Sequence, residues 1–354
     1  MKRLCIFAAA LAVCSSAPVA AAPAPSALLD EAIGKVKALS YRRAQVDWPA
    51  LEAKVRADAA GASDIVDLLP ALNTLVEGLG DGHSFVNASA EDRAAFKARH
   101  GREYDSTRVA HKPSSPFKAR RTPAVAAVVV GGKSAALVTV PMMMGGGAKA
   151  GAYAQTLFDG IAATAGQRCG YIVDLRGNGG GNVWPMLAGL SPLLGEPWNG
   201  YDIKTDGTIS TYATIWRGKA TIVDKADPNA GVTFLEIDRW KPLPALVRAP
   251  VALLIDDAVA SSGEGVALAF KGRPNSRSFG GKTYGLASSN EGFMLADRVN
   301  VVVTSGLMID RLRRTYPDGV APDEVVANPP SADAAHDPVV EAATRWLASQ
   351  AACR

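Results

Sequence analysis

A serine with a glutamate three positions on, Ser261 and Glu264, stands between the apolar run Pro250–Ile255 and a second run, Gly265–Phe270. Ser261 therefore falls at a predicted strand-to-helix turn, where a hydroxyl is lifted off the sheet edge and the amides of the next helix start point at any oxyanion formed beside it. The same spacing is also a capping box, which needs no chemistry to explain it. A second segment, Gly170-Tyr-Ile-Val-Asp-Leu-Arg-Gly-Asn-Gly-Gly-Gly-Asn182, is a buried-looking strand that ends in glycines whose amides could face a ligand. It begins like a dinucleotide fingerprint but has Asn182 where the third glycine is required, and no Walker-type Gly-Lys-Ser/Thr follows. The third segment, Leu79-Gly-Asp-Gly-His-Ser-Phe85, closes an apolar helix-like stretch and puts His83 on a loop. Taken alone, His83 is a histidine in an Asp-Gly turn. The other three histidines, His100, His111 and His336, lie in polar or proline-containing surroundings with no comparable motif, so a histidine base would be His83.

In their shared order these segments resemble the C-terminal-processing and tricorn-core serine peptidases. The likeness extends through Val46-Asp-Trp48, Thr283-Tyr-Gly285 and Pro322-Asp323. It implies a crotonase-like (ClpP-like) α/β core beside a small N-terminal helical domain. By the same resemblance Ser261 is the nucleophile, and the oxyanion donors are the amides of Ser262 and Gly180. Members of the family carry proline at the position of Gly179, which has no N–H, so Gly180 is the expected donor. Members with a Ser-Lys dyad have a lysine directly after Thr-x-Gly, where this chain has Leu286. Lys282 is offset by four residues, roughly 13 Å along a strand. The tricorn-like branch, with histidine as base, is the one the sequence fits, which pairs His83 with Ser261. An acid that orients the ring is implied shortly before Gly319-Val-Ala-Pro-Asp323, where Tyr316 takes the matching place; Asp318 is the nearest carboxylate, and Asp310 and Glu291 are the other options.

The elements that would position these residues follow from periodicity. Residues 27–80 carry apolar positions at helical spacing, as in Leu28, Leu29, Ile33, Val36 and Leu39. We divide the chain into a leader (1–22), an N-terminal helical domain (23–85), a linker or irregular insertion (86–123) and an α/β core (124–354). In the core, strand-like runs at Ala124–Val130, Ala135–Val140, Tyr171–Leu175 and Val251–Ile255 alternate with helix-like stretches such as Ala152–Phe158. The insertion is too short for a PDZ-type module of about 80 to 100 residues.

The leader pairs Lys2 and Arg3 with an apolar run and ends in Ala20-Ala-Ala22, the pattern of a secretory signal peptide and hence of a periplasmic or secreted protein. Leu11-Ala-Val-Cys14 is the weaker lipoprotein alternative. No later run has the ~20 apolar residues of a membrane span. Of the four cysteines only Cys169 and Cys353 follow the leader, and a bridge between them and two free thiols are both open. The formal charge of +4 is spread thinly, and the basic cluster Lys118-Ala-Arg-Arg121 lacks interleaved aromatics, which argues against a nucleic-acid surface. There is no His-Glu-x-x-His or Cys-x-x-Cys, so neither metal nor cofactor is expected. Asp256-Asp257 at a strand end reads as a pair of turn carboxylates. Three activities remain: a peptidase acting on short or unfolded peptides, a peptide binder that has lost catalysis, and an esterase-like hydrolase. Without a chain-end-capturing module, the expected recognition surface is the cleft between the helices carrying His83 and the core carrying Ser261. Its closure is expected to assemble the pair, leaving His83 beyond hydrogen-bond reach of Ser261 in the free protein.

Overall fold

The computed structural model describes residues 23–105, 112–117, 122–223 and 231–354. The leader, His111 and the basic cluster ending at Arg121 lie outside them.

The chain opens with helices α1 (Pro25–Leu39), α2 (Trp48–Asp58) and α3 (Leu69–Glu77), then β1 (Phe85–Asn87) and α4 (Ala90–His100). The core continues through β2 (Ala124–Val130), β3 (Lys133–Thr139), α5 (Gly147–Ala163), β4 (Tyr171–Asp174) and α6 (Val183–Leu194). Four strands follow: β5 (Trp198–Ile203), β6 (Ile209–Trp216), β7 (Lys219–Val223) and β8 (Gly231–Glu236). The chain then runs through β9 (Val251–Ile255), α7 (Ser262–Phe270), β10 (Ser276–Gly280), β11 (Ser288–Leu295), β12 (Val299–Ile309), β13 (Glu324–Val325) and α8 (Pro338–Ser349).

A six-stranded sheet, ordered β13-β10-β9-β4-β3-β2, is parallel except for the β2–β3 hairpin. Every residue of β4 and β9 is buried, because α5, α6 and α7 cover one face and α8 the other. That two-sided cover is why these strands read as unbroken apolar runs in the sequence. The result is the mixed α/β core with a small helical N-terminal region that the motifs imply.

Two features depart from expectation. Residues 86–123 are not irregular throughout: α4 is capped by Ser89, whose hydroxyl accepts the Asp92 N–H at 3.0 Å, and it carries Glu91 and Asp92 in its first turn and Lys97, Arg99 and His100 in its last. Those charges complement the helix dipole and give a polar segment a reason to be helical that apolar periodicity does not register. Secondly, an antiparallel sheet of seven strands, β1-β12-β5-β6-β7-β8 with β11 on β12, appears where only helix–strand alternation was expected. Strands such as β6 mix exposed, half-buried and buried positions without clean alternation, so they carry little signal.

The second sheet also completes the N-terminal unit. Leu28, Ile33, Leu72 and Leu75 from α1 and α3 share one core with Leu295, Val299, Val301 and Val303 of β11 and β12. β1 pairs with β12, with Phe85 opposite Val302. Asp92, fully buried on α4, takes the Arg298 guanidinium from the β11–β12 turn. The helical segment thus closes its core with residues more than two hundred positions later. At the other end of the chain a Cys169–Cys353 disulfide, with Cα atoms 4.9 Å apart, ties the tail beyond α8 to the entry of β4 and settles the choice left open above.

Candidate active site

Ser261 adopts φ 53° and ψ −119°, a left-handed conformation that costs a non-glycine residue about 1–3 kcal/mol and persists only when its surroundings over-determine it. The surroundings are specific. The Ala260 N–H donates to the Asn178 carbonyl at 3.0 Å, and the Ser261 N–H donates to Glu264 Oε2 at 2.9 Å. Glu264 is fully buried and also accepts from Thr283 Oγ1 at 2.6 Å, Gly285 N–H at 2.9 Å and Leu286 N–H at 2.7 Å. Burial pushes the Glu264 carboxyl above its ordinary range, against the pull of these hydrogen bonds. The capping glutamate of the sequence motif is therefore also a brace that joins the serine turn to the segment 283–286.

Ser261 Oγ lies 2.9 Å from His83 Nε2. The histidine is 8% exposed, and its turn is closed by Asp81, which accepts the N–H groups of His83 at 2.8 Å and Ser84 at 2.7 Å and the Ser84 hydroxyl at 2.6 Å. The Ser84 hydroxyl in turn accepts the Thr304 N–H of β12 at 2.9 Å, which fixes the histidine turn to the second sheet. The pair is thus already in hydrogen-bond reach, contrary to the expectation that cleft closure would assemble it, because the shared core with β11 and β12 docks the helical unit in place.

The group at His83 Nδ1 is the hydroxyl of Ser288, 2.7 Å away at the start of β11. Ser288 thus stands at the ring nitrogen for which Asp318 was the expected acid. Asp318 belongs to a turn whose backbone packs against Gly285, its carbonyl carbon 3.3 Å from where a Cβ on that glycine would stand. The other two carboxylates have partners of their own. Asp310 is buried and accepts from Tyr316 Oη at 2.6 Å and Arg314 Nε at 2.8 Å; although burial works against it, these bonds hold its carboxyl below the usual range. Glu291 pairs with Lys204 at 3.0 Å. Ser288 is 205 residues from His83 in sequence and sits in no motif, so nothing short of the strand register could have found it.

Gly180 touches the serine turn directly. A Cβ there would lie 2.9 Å from Ser261 Cβ and 3.1 Å from the Ser262 nitrogen, and its φ of 106° suits only glycine. The glycine loop therefore packs directly against the serine turn, with the Gly180 Cα facing the start of α7. The Gly180 N–H also donates to Asn178 Oδ1 at 3.0 Å, a local bond that shapes the loop. Asn178 is fully buried and donates from Nδ2 to the Val140 carbonyl at 2.9 Å, so it links the glycine loop, the serine turn and β3. The Ser262 hydroxyl donates to the Gly181 carbonyl at 2.6 Å.

Other motif residues prove structural. Arg176 is buried between Asp174 and Asp337, 2.8 Å from each, and Asp337 caps α8. Asp257 accepts the Ser114 and Ser115 amides at 2.6 and 3.0 Å, and Asp256 accepts the Gly177 N–H at 3.1 Å. The two carboxylates therefore pin residues 114–115 and the glycine loop to the end of β9. Lys282 is exposed and precedes the buried Thr283, while Leu286 lies 3.8 Å from where a Cβ on Gly82 would be, beside the histidine. Among the described residues no group of three His, Cys, Asp or Glu side chains could hold a metal ion.

The model of peptidase family S41 matches residues 127–326. A nisin-resistance protein of Lactococcus lactis subsp. lactis is 34% identical over 183 residues, 51% of this chain and 50% of that protein. The chain thus spans about half the length of that curated relative. Among solved structures, a lipoprotein from Streptococcus agalactiae superposes with a TM-score of 0.68 at 20% identity, over 94% of this chain and 99% of that one. A peptidase-like protein from Parabacteroides merdae gives 0.56 at 16% identity, over 92% and 97% of the chains. The photosystem II D1 C-terminal processing protease gives 0.51 at 14%, over 93% and 98%. At these identities the structural likenesses speak for the fold.

Proposed function

This chain belongs to peptidase family S41, and from that premise we propose that it hydrolyses peptide bonds with Ser261 as nucleophile and His83 as general base. The observation that carries the reading is the 2.9 Å contact between Ser261 Oγ and His83 Nε2, made by a serine held in a strained turn. With its proton on Nδ1, the imidazole donates to Ser288 and can take the Ser261 proton at Nε2 as Oγ attacks the scissile carbonyl. The Ser262 amide receives the tetrahedral oxyanion, and the Gly180 N–H joins it on releasing its bond to Asn178 Oδ1. His83 then returns the proton to the leaving amine, and water repeats the cycle on the acyl-enzyme. A hydroxyl at Nδ1 fixes the tautomer without supplying the negative charge that a carboxylate would set against the imidazolium.

Short or unfolded peptides are the proposed substrates, since the chain places no room for a PDZ-type module between the helical unit and the core. The compartment is periplasmic or extracellular: the leader pattern and the Cys169–Cys353 bridge both suit an oxidising environment. No helix of the described residues is long and apolar enough to cross a membrane.

A fluorophosphonate probe and a peptide-library digest, with nisin included on account of the named relative, test the reading in parallel. Labelling at Ser261, its loss in Ser261→Ala, and loss of cleavage in His83→Ala but not Lys282→Ala are expected. Cleavage that survives His83→Ala but not Lys282→Ala would reassign the base. A protein that is labelled by nothing and cleaves nothing would be the non-catalytic peptide binder, and one that cleaves only esters would be the esterase.

A further inference from the structure

At the far end of α6 from the serine turn, about 18 Å along the helix, a cavity of 540 Å³ opens between the end of α6, the β6–β7 hairpin and residues 240–247. We propose that it binds a ligand with a planar apolar ring system and one acidic group.

Its walls are apolar and prearranged. Trp240 is locked from two sides: its Nε1–H donates to Glu196 Oε1 at 3.1 Å, and Gly218 leaves room for its ring, since a Cβ there would come within 2.5 Å of it. The hairpin tip is strained, with Arg217 at φ 49° and Gly218 at φ 71° between the paired Trp216 and Lys219. A two-residue turn of this hand favours asparagine or glycine at its first position, so an arginine there is conformationally costly. The Arg217 N–H is tied to Glu196 Oε2 at 2.5 Å, and its guanidinium lies 4.9 Å over the Trp216 ring. Trp216 is still 55% exposed beneath that guanidinium, which leaves apolar ring surface at the cavity. At the floor, the fully buried Ser191 hydroxyl finds no hydrogen-bond partner among the described residues.

Charge decides the ligand class. Arg217 and Lys241 stand at the mouth, while the one carboxylate of the wall, Glu196, already receives the Arg217 amide and the Trp240 indole. The cavity is therefore cationic at its rim and apolar within, suited to a ring packed on tryptophan with its carboxylate or sulfonate at the entrance.

Calorimetric titration of the whole protein with 2-naphthoate tests this. Saturable one-to-one binding is expected, about tenfold weaker for neutral 2-naphthamide and for Arg217→Ala/Lys241→Ala. Trp216→Ala, which alters an exposed side chain and leaves the fold intact, is expected to weaken binding similarly, and Ser191→Leu to abolish it by filling the floor. Ser261→Ala is expected to bind as the parent does. Absence of saturable binding, equal affinity for naphthamide, or indifference to Trp216→Ala would each overturn the proposal.

Discussion

Ser261 stands in a turn braced by buried groups, with Glu264 and Asn178 gripping the backbone on either side and Gly180 packed against it. His83 stands on a short turn closed by Asp81, and its ring meets the Ser288 hydroxyl on the side away from Ser261. The helical unit that delivers it is held on its outer side by ion pairs: Arg99 meets Asp64 and Asp67 at 2.8 Å, and His100 meets Asp67 at 2.9 Å. One half of the pair is thus preorganised by burial, and the other is carried by a unit that charge closes on itself and a shared core docks. The contrast teaches that geometry at Ser261 resists perturbation from solvent, whereas geometry at His83 depends on how firmly the helical unit is seated.

The largest expected effect breaks the contrast at its centre. His83→Ala should lower kcat/KM by roughly 10⁴-fold or more with little change in melting temperature. Glu264→Ala comes next. It leaves the donors of Ser261, Thr283, Gly285 and Leu286 facing a cavity, each costing about 1–3 kcal/mol if left unpaired. Chemical denaturation should show a loss of at least about 3 kcal/mol, with activity falling in the variant that still folds. A Glu264→Ala protein of unchanged stability and rate would show that the brace does not hold the turn.

Ser288→Ala sharpens the comparison from the other side. It removes one neutral hydrogen bond, so a loss of about tenfold in kcat is expected, from roughly 1.4 kcal/mol. Asp318→Asn should change kcat less than twofold. The reverse ranking would restore Asp318 as the orienting group.

Acid should separate the halves. Despite burial, hydrogen bonds from Ser63, Arg99 and His100 hold the Asp67 carboxyl well below its usual range, so the stability it gives is present above the unfolded value near 3.8 and is lost as pH falls below it. Glu264 has the opposite sign: burial raises it, so its contribution is fully present below 4.5 and declines as pH rises. On acidification through the carboxylate range, amide exchange should therefore open residues 64–100 before residues 255–286. Simultaneous opening would mean that the shared core, and not the ion pairs, holds residues 64–100 folded.

Much of this molecule was written along the chain. The apolar runs at β4 and β9, the glycines after Arg176, the serine turn and the histidine turn are local patterns, because burial on both faces of a parallel strand and positive φ at a turn each select residue types within a few positions. Those patterns are enough for the α/β core and to single out Ser261 and His83 as candidates, which the fold brings to 2.9 Å of each other. What they could not contain is any pairing that depends on register between distant segments. Ser288 meets His83 only because β11 folds back on β12, and β12 pairs with β1 just after the histidine turn. A lone serine in a strand carries no mark of that contact. Likewise α4 owes its existence to caps and charges, the second sheet to mixed strands with weak alternation, and the helical unit's core to valines more than two hundred residues away. Residue types fix which chemistry can occur, since that is a property of single side chains and close neighbours; tertiary structure alone decides which hydroxyl stands behind the base, since that is a property of two strands meeting.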